Sequence, residues 1–169
     1  MRKVFISYYH GDRYAAQAFV DRYAKRQRIF IPKCIGLSDE NELIQSSNDV
    51  YILNTIRDRL INDSSVQIVL IGPCTHGRKF IDLEIHRSLR QNNGLIGILL
   101  SPHQSATLPE RFAANYSYAT YRYQHGADQH LSNWIEDAYL ARTQRQHLKN
   151  NFRETWEDNR QCQTCRVTH

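Results

Sequence analysis

The sequence lacks any apolar run long enough to cross a membrane. It also lacks signal-peptide features near its start, because MRKVFISYY leads directly into a strand-like pattern without an apolar core or a small-residue cleavage site. These absences predict a cytoplasmic protein without membrane contacts. With 169 residues, 41% of them hydrophobic and 23% charged, the chain has the composition of one globular domain.

Cysteine is scarce, with four residues at positions 34, 74, 162 and 165. Cys162 and Cys165 form a lone C-x-x-C pair, and His169 is the only further ligand type close to it. Because structural zinc takes four protein ligands, this pair is too small a set. We therefore expect no metal site.

Dense blocks of positive charge are also missing. The net charge is +5, but lysine and arginine are dispersed, without the basic-aromatic alternation of a nucleic-acid groove. A net positive charge that is spread over the chain suits a polyanionic small molecule such as a dinucleotide. We expect no binding of nucleic acid.

Several nucleotide-binding and catalytic motifs are absent. There is no G-x-G-x-x-G after a strand and no G-x-x-x-x-G-K-[ST], which argues against a Rossmann dinucleotide site and a P-loop. G-x-S-x-G is also missing. The first strand ends at Ser7 and Tyr8 rather than at an acidic pair, which argues against a phospho-acceptor receiver domain.

Short apolar runs alternate with helical patterns along the chain. Strands are predicted at 3–9, 28–36, 66–72 and 94–101, with an edge strand ending in YATYRY, and helices at about 13–27, after Asp49, within 77–94 and at about 130–144. This order predicts an α/β fold with a flavodoxin-like, doubly wound, mostly parallel five-stranded sheet and helices on both faces. We assign residues 1–146 to this domain and 147–169 to a C-terminal extension, partly helical or mobile.

One charge is out of place in the predicted helix GRKFIDLEIHRSLRQNNG. At about 100° per residue, Ile81, Ile85 and Leu89 form a buried stripe, and Asp82 falls on a solvated face. Glu84 lies on the apolar side, near the strand ends where open α/β sheets bind ligands. Two interpretations remain: a carboxylate neutralised by the helix dipole and Arg87, or a functional carboxylate.

Two motifs resemble those of Toll/interleukin-1 receptor (TIR) domains. KVFISYYHGDR is similar to the first strand and loop of that family, and KFIDLEI is similar to its W-V-x-x-E motif, with Phe80 and Ile81 in place of Trp and Val. The strand GLIGILLS follows at a fitting distance. The resemblance covers about 3–144, and the segment LPERFAANY resembles bacterial TIR-like proteins of the ThsB type from Thoeris anti-phage systems.

The resemblance implies an enzyme that consumes NAD as a substrate and needs no cofactor. Such domains cleave the nicotinamide–ribose bond and make an ADP-ribose-derived, in this type cyclic, signal nucleotide that acts on a separate effector protein. A phage-derived trigger and a homo-oligomer are further expectations. The family's catalytic carboxylate falls on Glu84, and the implied substrate site comprises Ser7, Tyr9, His10, Asp12, Ile35, Gly36 and Phe80.

Two other functions remain open. The replacement of Trp by Phe80 leaves room for a non-catalytic scaffold that assembles through its faces. A nucleoside deoxyribosyltransferase-like enzyme, which has a related sheet and also uses a Glu, is the third hypothesis. Among single residues, Asp12 has an alternative interpretation as the N-cap of the first helix.

Overall fold

The computed structural model describes residues 1–35, 49–100, 107–113, 120–122 and 128–142. Its strands are β1 (Lys3–Tyr8), β2 (Ile31–Lys33), β3 (Val66–Ile71), β4 (Gly94–Leu99) and β5 (Thr120–Arg122). Its helices are α1 (Arg13–Val20), α2 (Asp49–Asn62), α3 (Lys79–Arg90), α4 (Glu110–Ala113) and α5 (Asp128–Ala141). Strands and helices alternate as the hydrophobic patterns predict.

The strands form one sheet of five, in the order β2-β1-β3-β4-β5, and every neighbouring pair is parallel. This order confirms the predicted flavodoxin-like, doubly wound topology. The direction of strand addition reverses between β1 and β3. Ligands of such sheets bind outside the carboxyl ends of the strands at this switch point.

The central strand β3 is buried along its whole length, as its continuous apolar pattern predicts. On one face of the sheet, Phe19 of α1 and Ile135 of α5 belong to the largest cluster of buried side chains. On the opposite face, Ile81 and Ile85 of α3 belong to a second cluster. Helices therefore cover both faces, and α3 is fixed against the sheet by its predicted stripe.

The elements around β2 differ in detail from the prediction. The first helix continues beyond α1 as a π-helical stretch, Asp21–Arg26, so its total extent is close to the expected one. The second strand is shorter than predicted at both ends, and Arg28 has a positive φ of 53°, which is incompatible with a strand that begins at this residue. Pro32 lies in β2, which is an edge strand and therefore tolerates the missing N–H.

The predicted solvated face of α3 is wrong at Asp82. This residue is only 3% exposed, because α4 packs against α3 and covers it. The guanidinium of Arg111 on α4 donates to both carboxylate oxygens of Asp82 at 3.0–3.1 Å. A helical wheel cannot anticipate a neighbour that comes from a distant part of the chain.

Some predictions fall outside the described residues. Gly36, the C-x-x-C pair and the extension at 147–169 are among them, so the division into domain and extension stays a prediction. Within the part of the chain that the structure describes, no helix combines the length and the apolar character that a membrane crossing requires.

Candidate active site

Three elements bring a carboxylate, a hydroxyl and a guanidinium together at the switch point of the sheet. Ser7 lies near the carboxyl end of β1, Glu84 lies in the second turn of α3, and Arg57 lies on α2. The buried stripe of α3 packs against the sheet, which turns Glu84 inward toward β1. The cluster therefore forms where this fold class binds its ligands.

Both oxygens of the Glu84 carboxylate are engaged. The Ser7 hydroxyl donates to Oε2 at 2.5 Å, and the Arg57 Nε–H donates to Oε1 at 2.6 Å. Glu84 is only 5% exposed, so both contacts lie in a poorly hydrated environment. The carboxylate is held in one orientation by groups from two other elements.

Burial raises the pKa of Glu84 above its usual value, because a charge is costly to remove from water. The positive charge of Arg57, the hydrogen bonds from Ser7 and Arg57, and the charge of Arg87 all oppose this effect, but burial prevails. The poorly hydrated surroundings of Glu84 strengthen its electrostatic effect on any nearby charge. The hydrogen-bond donors Ser7 and Arg57 favour its ionised form.

Sequence reasoning missed Arg57 and suggested Arg87 as the partner of Glu84. Arg87 instead pairs with Asp58 at 3.0 Å, and its charge lowers the pKa of Glu84 less than the charge of Arg57 does. Arg57 is 27 positions from Glu84, so no local periodicity relates the two. Only the packing of α2 on α3 brings them together.

Arg57 has a second contact and an unused donor. Its guanidinium carbon lies 4.3 Å from the centre of the Phe80 ring, a cation–π distance. Its Nη1 is buried and has no hydrogen-bond partner among the described residues. Phe80, a predicted substrate residue, is 38% exposed and is not among the described residues that line the cavity beside Glu84.

A cavity of about 740 Å³ opens beside Glu84, within the range of about 300–1,000 Å³ typical of small-molecule sites. It lies between β1, α1, α2 and the segment 9–12 that joins β1 to α1, here called the first loop. The described residues that line it are Phe5, Ile6, Tyr8, His10, Gly11, Arg13, Tyr14, Gln17, Ile35, Arg57 and Glu84. Among these described lining residues, Glu84 supplies the only carboxylate, and Arg13 and Arg57 supply two guanidinium groups.

Of the paired tyrosines, Tyr8 rather than Tyr9 lines the cavity. The Tyr8 hydroxyl donates to the carbonyl of Ile35 at 2.7 Å, and burial raises its pKa to about 12, so it remains a neutral donor. Ile35 and His10 line the cavity as the resemblance implies. The ring of Tyr9 instead lies under the Arg78 guanidinium, 3.9 Å from it.

Asp12 connects two loops. It occupies the N-cap position of α1, but its side chain makes no capping hydrogen bond. Its carboxylate instead approaches Gly72 and lies 3.5 Å from the hydroxyl of Thr75, in the turn after β3. Burial raises the pKa of Asp12. Together with the Tyr9–Arg78 stack, this contact fastens the first loop beside the cavity without lining it.

The chemistry of the site follows from one oriented carboxylate at the wall of a cationic cavity. A buried carboxylate stabilises positive charge that develops on a bound molecule, and the stabilisation is larger in a dry site than in water. Arg13 and Arg57 suit an anionic group such as a phosphate, since guanidinium groups bind phosphate through paired N–H donors.

Comparison with known proteins gives one family match. The family described as "Thoeris protein ThsB, TIR-like domain" matches residues 5–106, which is more than half of the 169-residue chain and includes Ser7, Arg57 and Glu84. No curated protein matches the chain. The chain therefore belongs to the ThsB family of TIR-like domains, the TIR-type proteins of Thoeris anti-phage defence.

Proposed function

We propose that this chain is an NAD-consuming enzyme that cleaves the nicotinamide–ribose bond and converts the ADP-ribosyl fragment into a signal nucleotide. The observation that carries the proposal is Glu84, a buried carboxylate oriented by Ser7 and Arg57 at the wall of a cationic cavity. The family match supports the anti-phage context of this activity.

The chemistry of NAD fits a site with one carboxylate. Cleavage at the anomeric carbon passes through an oxocarbenium-like transition state, as in glycosidases. Glycosidases use a second carboxyl group to protonate the leaving oxygen. The nicotinamide of NAD is a pyridinium and departs as a neutral molecule when it takes the bonding electron pair. Glu84 therefore has to stabilise the ribosyl cation and position its hydroxyls, and no acid is required.

The rest of the cavity suits the rest of the dinucleotide. Arg13 and His10 lie on the side of the first loop and α1, where they provide donors for a diphosphate. Tyr8 and Tyr14 provide aromatic surface in the same cavity for a base or a ribose face. An anionic ligand with two aromatic ends fits this set better than a nucleoside without phosphate.

The proposed product is a cyclic derivative of ADP-ribose. One hydroxyl of the bound ADP-ribosyl fragment attacks the anomeric carbon in place of a water molecule and releases its proton to solvent. An adenine ring nitrogen could attack in the same way, but it carries no proton, so the positive charge would pass to the base. Such an intramolecular attack is favoured when the site holds the fragment folded and excludes water. Entry of water would give free ADP-ribose.

In this proposal the protein works in the cytoplasm and its product activates a separate effector protein. A phage-derived trigger would switch the activity on, and assembly into a homo-oligomer is the proposed route to the active form. NAD is consumed as substrate, and no cofactor or metal takes part.

The test is NAD turnover by the full chain, with and without lysate of phage-infected cells, followed by mass spectrometry of nicotinamide and the nucleotide products. Glu84→Gln keeps the shape of the side chain and should lower the rate by on the order of 10²–10³-fold. Glu110→Gln, the same change at an exposed position of α4, is the matched control and should retain wild-type activity.

The alternatives give different results in the same assay. Full activity in the Glu84→Gln variant would contradict the assigned role of Glu84. Absence of NAD turnover under every condition, with oligomers still forming, would favour a scaffold. Exchange of bases on deoxynucleosides would favour a deoxyribosyltransferase.

A further inference from the structure

The Arg57–Glu84 ion pair opposes the role proposed for Glu84. A carboxylate stabilises a ribosyl cation through its negative charge, but a guanidinium 2.6 Å away largely neutralises that charge. The pair is well shielded from water, with side-chain exposures of 12% for Arg57 and 7% for Glu84. In the described structure, the negative charge of Glu84 is therefore already paired with the positive charge of Arg57.

Arg57 is placed to leave this pair toward the cavity. It lines the same cavity as Glu84 and Arg13, so a ligand there lies within reach of both arginines. Its buried Nη1 makes no hydrogen bond with the described residues, and an unsatisfied buried donor is unfavourable. A phosphate that accepted hydrogen bonds from the guanidinium would use this idle donor.

The aromatic ring of Phe80 gives Arg57 a support that does not depend on Glu84. A cation–π contact attracts the delocalised charge of the guanidinium to the ring and requires no acceptor atom of Glu84. Arg57 can therefore change its hydrogen-bonded partner while it stays next to Phe80.

We propose that Arg57 exchanges Glu84 for the diphosphate of the bound dinucleotide, so that the catalytic carboxylate is released only when a substrate with a diphosphate fills the cavity. This inference rests on the proposed cleavage of NAD at Glu84. It makes Arg57 a specificity-determining residue, because nicotinamide ribosides without phosphates would enter the cavity but leave Glu84 paired.

The other groups around Glu84 do not substitute for Arg57. Ser7 on β1 is uncharged and supports the carboxylate in either state. Arg87 on α3 is engaged with Asp58, and the partly buried hydroxyl of Tyr8 donates to the Ile35 carbonyl. Arg57 is thus the cation whose departure would change the charge available at Glu84.

The test compares NAD with nicotinamide riboside, under the condition in which the wild-type chain cleaves NAD. The wild type should cleave nicotinamide riboside poorly. Arg57→Met removes the cation but keeps an unbranched side chain against Phe80. Because Arg57 also lowers the pKa of Glu84, each variant is measured at a pH above its own acid limb, where Glu84 is ionised. There the substitution should raise kcat for nicotinamide riboside at least tenfold and raise KM for NAD about tenfold without lowering kcat for NAD.

Arg13→Met is the matched control. It also removes a cation from the cavity, but the described structure shows no contact of Arg13 with Glu84. It should raise KM for NAD and should not raise kcat for nicotinamide riboside. Arg57→Lys keeps a positive charge and should resemble the wild type on nicotinamide riboside.

A second measurement needs no variant, in case Arg57→Met does not fold. Inorganic pyrophosphate added to the wild type with nicotinamide riboside supplies the missing anion separately. It should stimulate cleavage several-fold, whereas sulfate at equal ionic strength should not.

Three results would contradict the proposal that Arg57 exchanges Glu84 for the diphosphate. These are a loss of kcat on both substrates in Arg57→Met, unchanged turnover of nicotinamide riboside in that variant, and no stimulation by pyrophosphate in the wild type. Each of them, combined with NAD cleavage that still requires Glu84, leaves the proposed function standing. Equal NAD turnover by wild type and Glu84→Gln would instead overturn both.

Discussion

At the scale of single residues, Glu84 carries two opposing influences. Burial favours its neutral form, whereas Arg57 and Ser7 favour the carboxylate. The balance leaves its pKa above the usual value, and the proposed reaction needs the ionised form. The rate of NAD cleavage should therefore report the protonation of this residue.

The first prediction concerns pH. Since the pKa of Glu84 lies above its usual value of 4.5, kcat/KM should fall with decreasing pH along a limb centred above pH 4.5. Ser7→Ala removes a hydrogen bond that lowers this pKa, so the limb should move to higher pH. The measurement is the pH profile of nicotinamide release. Ser132→Ala, an exposed serine on α5, is the control, and an identical limb in Ser7→Ala would contradict the prediction.

At the scale of elements, α3 is held from two sides by ion pairs of different kinds. Glu84 faces α2 through Arg57 and belongs to the candidate site. Asp82 faces α4 through Arg111, and the exposures of these two residues are 3% and 7%. The second pair lies outside the residues that line the cavity, so its role in the described structure is to fix α4 on α3.

The second prediction concerns the Asp82–Arg111 pair. Asp82→Ala leaves the buried Arg111 guanidinium without its carboxylate and should lower the free energy of unfolding by about 3–5 kcal/mol. The double variant Asp82→Leu, Arg111→Met replaces the pair by apolar side chains and should be much closer to the wild type. Urea denaturation measures both. A double variant as unstable as Asp82→Ala would argue against this account.

The third prediction concerns the loops that border the cavity. A methyl group at Gly72 would lie 2.3 Å from the Asp12 carboxylate, which is too close for any contact. Gly72→Ala should therefore push the Asp12 carboxylate away from Thr75 and lower the free energy of unfolding by about 1 kcal/mol, the cost of a lost hydrogen bond. Asp12→Ala removes the clash, so the two changes together should cost less than their sum. A double-mutant cycle in urea measures this coupling, and strict additivity would contradict it.

At the scale of the whole molecule, the charge balance and the position of the cavity act together. The chain carries a net charge of +5, and Arg13 and Arg57 lie at the cavity. An anionic dinucleotide should therefore be attracted over several ångströms before contact. This attraction depends on ionic strength, because salt screens exposed charges.

The fourth prediction follows from this screening. Raising the salt concentration from about 50 to about 300 mM should increase KM for NAD several-fold and leave kcat nearly unchanged, because the buried Glu84 is screened much less than the entrance. Steady-state kinetics at several salt concentrations measure both constants. Nicotinamide riboside, which is a cation, is the control, and its KM should not rise. A parallel rise for both substrates would contradict the electrostatic explanation.

The fold could be predicted from the sequence almost completely. The continuous apolar run of β3, the stripe of Ile81, Ile85 and Leu89, and the alternation of strand and helix are local patterns that act within a few residues. The same wheel marked Glu84 as a charge on an apolar face, which is where the structure has it. The resemblance to TIR domains then supplied a chemical interpretation for that position.

The sequence by itself thus determined the order of the elements except for the short helix α4, the topology class and one unusual carboxylate. Only the tertiary structure decided what surrounds that carboxylate: Arg57 from 27 positions away and Ser7 from 77. It also decided that Asp82 is buried, that Tyr8 rather than Tyr9 lines the cavity, and that Asp12 binds a loop instead of capping a helix. The physical reason is that periodicity assigns a residue to a face of its own helix or strand, whereas its partners depend on which distant element packs against that face.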